Sequence, residues 1–141
     1  MTSTIEKKLA TVMKKEPQLN HFGIGVFAER RKTPAEAAEE LKKNRERLRQ
    51  CISDIEWTVE WLKTNIVPIQ TISRNRTSYG LKHIAEKFSP NKYLSNGVFI
   101  TAAIIAGYPY RTHPGSPNVS FGMSERSIKR LQKEIRGVSY E

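Results

Sequence analysis

Catalysis in this chain would have to draw on a small set of side chains. His21, His83 and His113 are far apart and share none of the short spacings that let imidazoles hold one metal ion. Cys51 is the only cysteine and Asp54 the only aspartate, so no local carboxylate cluster could hold Mg²⁺ as nucleases do. Asn75 to Tyr79 bring hydroxyls together with Arg76, beside Arg74, but no general base accompanies them. Gly23 and Gly25 alternate with Phe22, Ile24 and Val26. A phosphate-cradling loop would need the Walker spacing and a Lys-Ser/Thr end, which are missing. The alternation also reads as a short strand, weakened by its glycines. These observations argue against an enzyme, a bound metal, a cofactor or a small-molecule substrate.

The side chains present in excess are cationic. In 141 residues, 24 Lys and Arg face 14 Asp and Glu, a formal net charge of +10. Charge of this size attracts polyanions, and nucleic acid is the usual polyanion in cells. The excess is not uniform: residues 1–32 carry a net +4, residues 33–67 a net −1 and residues 68–141 a net +7. Between residues 68 and 124 the only acid is Glu86. Arg74, Arg76, Tyr79, Lys82, His83, Lys87, Lys92 and Arg111 form the candidate contact set in that stretch, continued by Lys129, Arg130 and Lys133 further on. Arginine and lysine there suit phosphates or an acidic protein face, and tyrosines could stack on unpaired bases or be buried.

The elements that must position these residues are mostly helical. Ser3 and Glu6 form a capping box, followed by Ile5, Leu9, Val12 and Met13 on one face, and Pro17 ends the helix. Thr33-Pro34-Ala35-Glu36 starts a second helix with cap, proline and capping glutamate in place. No Gly or Pro follows until Pro68, so one helix of about 30 residues, roughly 45 Å long, is expected. Ala38, Leu41, Leu48, Ile52, Ile55, Val59 and Leu62 form a heptad seam with Arg45 as its one polar break. That seam needs a partner, in the chain or in a second copy as a homodimer. Trp57 and Trp61 lie four apart, where Asp54, Glu56 and Glu60 make base stacking an unfavourable role. Cys51 lies beside the seam as a small apolar residue.

Beyond Pro68, Ile66, Val67, Ile69 and Ile72 imply a connection tucked against the core. Thr77 or Ser78 can cap a helix through about Phe88, with Leu81, Ile84, Ala85 and Phe88 inward. Ser95 caps the next, which Gly107 ends, and Val98 to Ala106 is apolar on almost every face, as in a buried central helix. Val119, Phe121 and Met123 alternate as in a short strand or arm. Ser124 caps a last helix with Ile128, Leu131 and Ile135 inward and Arg126, Lys129, Arg130, Lys133 and Arg136 outward. Two helices joined by a turn suggest a helix-turn-helix, but the second offers only Asn96 and Thr101 to base edges, which disfavours a standard recognition helix.

The fold expected is therefore mainly α: a long central helix in a hairpin or bundle, plus a small C-terminal helical unit with at most one or two short strands. Its organisation divides into residues 1–67 and a basic helical domain, 68–141. The longest nearly apolar run, Val98 to Gly107, is far short of the roughly 20 residues of a membrane span, and the start lacks an apolar signal region. With one cysteine and no intrachain disulfide possible, a cytoplasmic location in a bacterial host cell, away from membranes, is expected.

Thr77-Ser78-Tyr79-Gly80-Leu81-Lys82-His83, then Tyr93-Leu94-Ser95-Asn96-Gly97-Val98-Phe99-Ile100-Thr101-Ala102-Ala103, then Gly107-Tyr108, resembles a family of short proteins carried on phages, plasmids and integrative elements of proteobacteria. The resemblance covers about residues 73–124 and implies a mobile-element origin, with no biochemical activity attached. Mobile elements encode small non-enzymatic inhibitors of host defence, anti-CRISPR proteins among them. Two functions are thus expected: binding of nucleic acid or a nucleoprotein through the basic C-terminal face, or inhibition of a host defence ribonucleoprotein by binding its protein subunits, with the long helix as an inserting arm.

Overall fold

The computed structural model describes residues 4–26 and 33–139. Ser3, and with it half of the first capping box, lies outside them. Helix α1, Thr4–Lys15, buries Leu9, Val12 and Met13 as its periodicity requires. A hairpin follows, β1 Leu19–Asn20 against β2 Gly23–Ile24, with Leu19 opposite Ile24. Helix α2, Pro34–Arg49, begins in the expected capping box: Thr33 Oγ1 accepts from Glu36 N, and Glu36 Oε1 accepts from Thr33 N.

The single helix expected over residues 33–67 is two. The amides of Gln50 and Cys51 bond to Arg47 O and Leu48 O, three residues back, and α3, Ile52–Asn65, restarts from Cys51. Tightening the last turn in this way ends a helix without Gly or Pro. The two halves obey different partners. His21 N donates to Asn44 O, which docks α2 on the hairpin, whereas α3 packs along the central helix α5, Asn96–Ala106. The seam closes inside the chain: Leu48, Ile55, Val59 and Leu62 are buried, Leu41 and Ile52 half-buried, and Ala38 is exposed.

Arg45, the polar break in that seam, has a structural task. Its guanidinium donates to the carbonyls of Met13, Glu16, Pro17 and Leu19, at 2.8 to 3.0 Å, and so closes the C-terminal end of α1. Met13 O would otherwise be left over at the helix end, since Pro17 has no N–H to offer it, whereas Glu16 O also accepts from Leu19 N. Arg45→Ala is expected to cost about 2–3 kcal/mol, read as a lower urea midpoint at unchanged slope. Arg45→Lys should restore less than half, since an ammonium lacks the planar fork that reaches several acceptors.

Helix α5 is the hub, touching α1, α3, α4 (Ser78–Glu86) and β2. Val98, Phe99 and Ile100 are at most 1% exposed, each contributing about 1.5–3 kcal/mol of burial. The helix is buried from Asn96 to Ala103, and only its last turn, Ile104 to Ala106, reaches the half-buried shell. Ser95 Oγ accepts from Val98 N, and Gly107 ends the helix at φ 96°. Tyr108 OH bonds to Leu62 O and Ile66 O, tying the end of α5 to the end of α3, and burial pushes its pKa up to about 12. Residues of both 1–67 and 68–141 share this one core.

A second antiparallel pair, β3 Tyr110–Thr112 and β4 Val119–Phe121, places Tyr110 opposite Phe121. The C-terminal unit thus has the two short strands expected of it, and the β1–β2 hairpin adds two more in the N-terminal part; none exceeds three residues. All of β4 is buried rather than alternating, and Met123 lies outside it in a lone bridge to Pro68. The Ile66–Ser73 connection is only partly tucked in: Ile66 is buried, but Val67 is 60% and Ile69 39% exposed. Its place is held by backbone bonds, Ile69 N to Gly122 O and Ser124 N to Val67 O. Helix α6, Glu125–Ser139, closes the fold with Ile128 and Leu131 buried.

Candidate nucleic-acid interface

Helix α4 turns two faces to two environments. Leu81 and Ala85 enter the core, and Ser78 Oγ accepts from Val119 N, anchoring the helix on β4. Tyr79, His83 and Lys87 are exposed on the other face. Thr77 occupies the N-cap position without a side-chain cap bond. After the helix, Lys92 adopts a left-handed φ of 56° and its ammonium returns to Lys87 O at 2.8 Å, satisfying a carbonyl at the end of α4.

The expected basic patch is divided by pairing. Lys82 is not on the surface: it is 7% exposed, and its Nζ lies 3.3 Å from Glu86 Oε1. Glu86, itself 8% exposed, also meets His83 Nδ1 at 2.7 Å and accepts from Leu94 N. Arg76 is likewise committed, gripping both carboxylate oxygens of Glu125 and reaching Gln132 on α6. That hydrogen bond holds the Glu125 carboxyl below its usual pKa and raises Arg76. Lys82 and Arg76 therefore leave the contact set, because the buried Glu86 and the exposed Glu125 already pair with them.

What remains comes together between α4 and α6. His83, Ile84 and Lys87 face Gln132, Ile135 and Arg136 across a shallow groove, and His83, Glu86, Lys87 and Lys92 line an adjoining one. Lys129, Gln132, Lys133 and Arg136 fall on one stripe of α6 by helical spacing, with both lysines and Arg136 exposed. Arg130 is exposed as well, with one guanidinium nitrogen donating to Asn65 O. Arg74 is exposed in the lead-in to α4. Arg111 is exposed on β3 and does not line either groove.

Sequence reasoning put Arg136 on the outer side of the last helix but left it out of the contact set, although it lies three residues beyond Lys133 and seven beyond Lys129. It left out Tyr93 as well, because nothing local signals that its ring meets Lys82, whose Nζ is 5.4 Å from the Tyr93 ring centroid and 5.3 Å from that of Tyr79. Both tyrosines are half exposed, at 53% and 51%. The His83 ring stands edge-on to Tyr79, 4.6 Å between centroids. Trp57 and Trp61 stack on each other, 6.0 Å between centroids, and Trp61 packs on Phe88.

Elsewhere, Cys51 Sγ approaches His21 Nδ1 at 3.8 Å, which invites comparison with a nucleophile and its base. The electrostatics run the other way. Burial, then Asp54, pushes the thiol pKa up, and burial, then Arg47, pushes the imidazole down. Both shifts favour the neutral forms, opposite in direction to what a thiolate–imidazolium pair needs. Among the described residues, no three His, Cys, Asp or Glu side chains gather to hold a metal, and no helix is long and apolar enough to cross a membrane.

No family model, curated protein or solved structure matches the chain.

Proposed function

We propose that this protein is a non-enzymatic nucleic-acid-binding protein that holds the phosphate backbone on the α4–α6 face. One observation carries the reading: Lys87, Lys92 and Arg136 converge there with His83, while the one carboxylate among them, Glu86, is buried and already engaged. Among the described residues, no ion pair occupies Lys87, Lys92, Lys129, Lys133 or Arg136. Cations on two facing helices can grip a polyanion along a line, whereas scattered surface lysines only raise its local concentration. The reading suits a mobile-element protein that works on nucleic acid or a nucleoprotein in the host cell. The alternative, an inhibitor that binds protein subunits of a host defence ribonucleoprotein, would have to act without one long inserting helix, because α2 and α3 are separate and the seam beyond Leu48 is largely spent inside the chain.

Binding measured by fluorescence anisotropy should weaken steeply with salt, log affinity falling by about 0.7–0.9 per phosphate contact for each decade. The triple variant Lys87→Gln, Lys92→Gln, Arg136→Gln should bind roughly ten- to a hundredfold more weakly at moderate salt. Its salt slope should be shallower by about two to three. A flat salt response in the natural protein, or a triple variant with unchanged slope, would reject this face as the contact surface.

A further inference from the structure

We infer that the face proposed above prefers unpaired nucleotides, with Tyr79 and Tyr93 as a stacking platform for nucleobases. This rests on the phosphate-binding reading and adds what the bases do. Five large apolar or aromatic side chains stand exposed among the described residues: Phe22, Val67, Ile69, Tyr79 and Tyr93. Phe22 is a single ring in the turn between β1 and β2, with the Arg47 guanidinium 5.5 Å from its centroid. Val67 and Ile69 are aliphatic and offer no π face. Tyr79 and Tyr93 are two rings gathered at one cation, Lys82.

The chemistry of the centre differs from that of its rim. The Lys82 ammonium is directed between the two rings and its charge is offset by Glu86. The Glu86 carboxylate also takes up His83. The centre is therefore aromatic and close to neutral, poor ground for a phosphate and good ground for a flat apolar base. Lys87 and Lys92 stand at its edge with no acid paired to them, and Lys92 directly precedes Tyr93. An aromatic platform bordered by free cations is the arrangement with which proteins hold single strands irrespective of sequence. A duplex cannot use it, because its base faces are covered by neighbouring pairs. Lys82 also keeps both rings in place before any ligand arrives, which lowers the ordering cost of stacking.

The test is anisotropy with the full chain and four labelled probes of about twelve nucleotides: oligothymidylate, oligouridylate, an abasic phosphodiester of the same length, and a closed hairpin duplex. The natural protein should bind a base-bearing strand about tenfold or more tighter than the abasic chain. Tyr79→Ala and Tyr93→Ala should each lose about 5- to 100-fold on that strand and nothing on the abasic chain or duplex, with unchanged salt slopes. Tyr79→Leu and Tyr93→Leu, which keep apolar cover without a π face, should lose as much, and circular dichroism should show all four variants folded. The tighter of the thymidylate and uridylate strands identifies DNA or RNA. Equal affinity for abasic and base-bearing strands, or full affinity in the leucine variants, overturns the stacking platform and leaves phosphate binding standing. Failure of all four probes at low salt removes both.

Discussion

Gly97→Ala is expected to destabilise the protein by more than about 4 kcal/mol, enough to leave little folded chain at 37 °C. A Cβ on residue 97 would lie 1.9 Å from Asn20 O and 2.8 Å from the carbonyl carbons of Asn20 and His21, all backbone atoms. Flexible side-chain ends can move aside, but this stretch of backbone is pinned from several directions. Gly97 N donates to His21 O, and His21 N to Asn44 O. Asn20 Nδ2 holds Gln18 O and Gly25 O, and Asn20 Oδ1 accepts from Phe22 N. Asn96 adds a side-chain amide to Phe22 O, Pro117 O and Asn118 Oδ1. The extra methyl must therefore separate the start of α5 from the β1–β2 hairpin, and with it loosen the seat of α2. Gly80→Ala is the matched control. Gly80 is in α4 with nothing within 4 Å of a built Cβ, so alanine there should stabilise by about 0.5–1 kcal/mol through helix propensity. Chemical denaturation of both variants checks the pair. A modest loss at Gly97 would mean that hairpin and helix are less tightly joined than their hydrogen bonds require.

Gly97 also shows why some of this fold was readable in the sequence and some was not. Local signals did their work: Thr33-Pro34 with Glu36, Ser95 and Gly107 each act within four residues, and each occupies the position its chemistry suits. The apolar run of α5 placed it at the centre. The break at Gln50–Cys51 had no such signal. The heptad spacing continues through it, and what separates α2 from α3 is the difference between their tertiary partners, a hairpin for one and α5 for the other. The task of Arg45 was hidden for the same reason, since its four acceptors lie 26 to 32 residues away. In sequence it reads only as a flaw in an apolar seam.

The site was legible as composition and not as geometry. A charge count finds the cationic C-terminal half, but availability depends on where the few acids fall. The Lys82–Glu86 pairing has helical i, i+4 spacing and could have been anticipated. The Arg76–Glu125 pairing spans 49 residues and could not. Resemblance to a motif containing Tyr79, Lys82 and His83 likewise says nothing about which side chain faces water. In the fold Lys82 is inside, and its exposed companions Tyr79 and His83 stand over it.

That arrangement makes Glu86 the residue at which stability and binding oppose one another. Glu86→Gln keeps the shape and can still accept from Leu94 N, but removes the charge that balances Lys82. Lys82 is then a buried ammonium with only two ring faces beside it. Breaking one partner of a buried pair typically costs 3–5 kcal/mol, and about 4 is expected here. A second substitution tests the cause: Lys82→Met with Glu86→Gln should recover more than half of the loss, because the stranded charge is gone. At the surface the sign reverses. With no carboxylate beneath it, the α4–α6 face gains one net positive charge, so surviving folded Glu86→Gln protein should bind a single-stranded oligonucleotide several-fold more tightly, with a salt slope steeper by up to about one. Denaturant titration and anisotropy on the same preparations separate the two effects. If affinity falls together with stability, Glu86 builds the binding face rather than restraining its charge; if neither moves, the carboxylate is not the counter-ion its contacts describe.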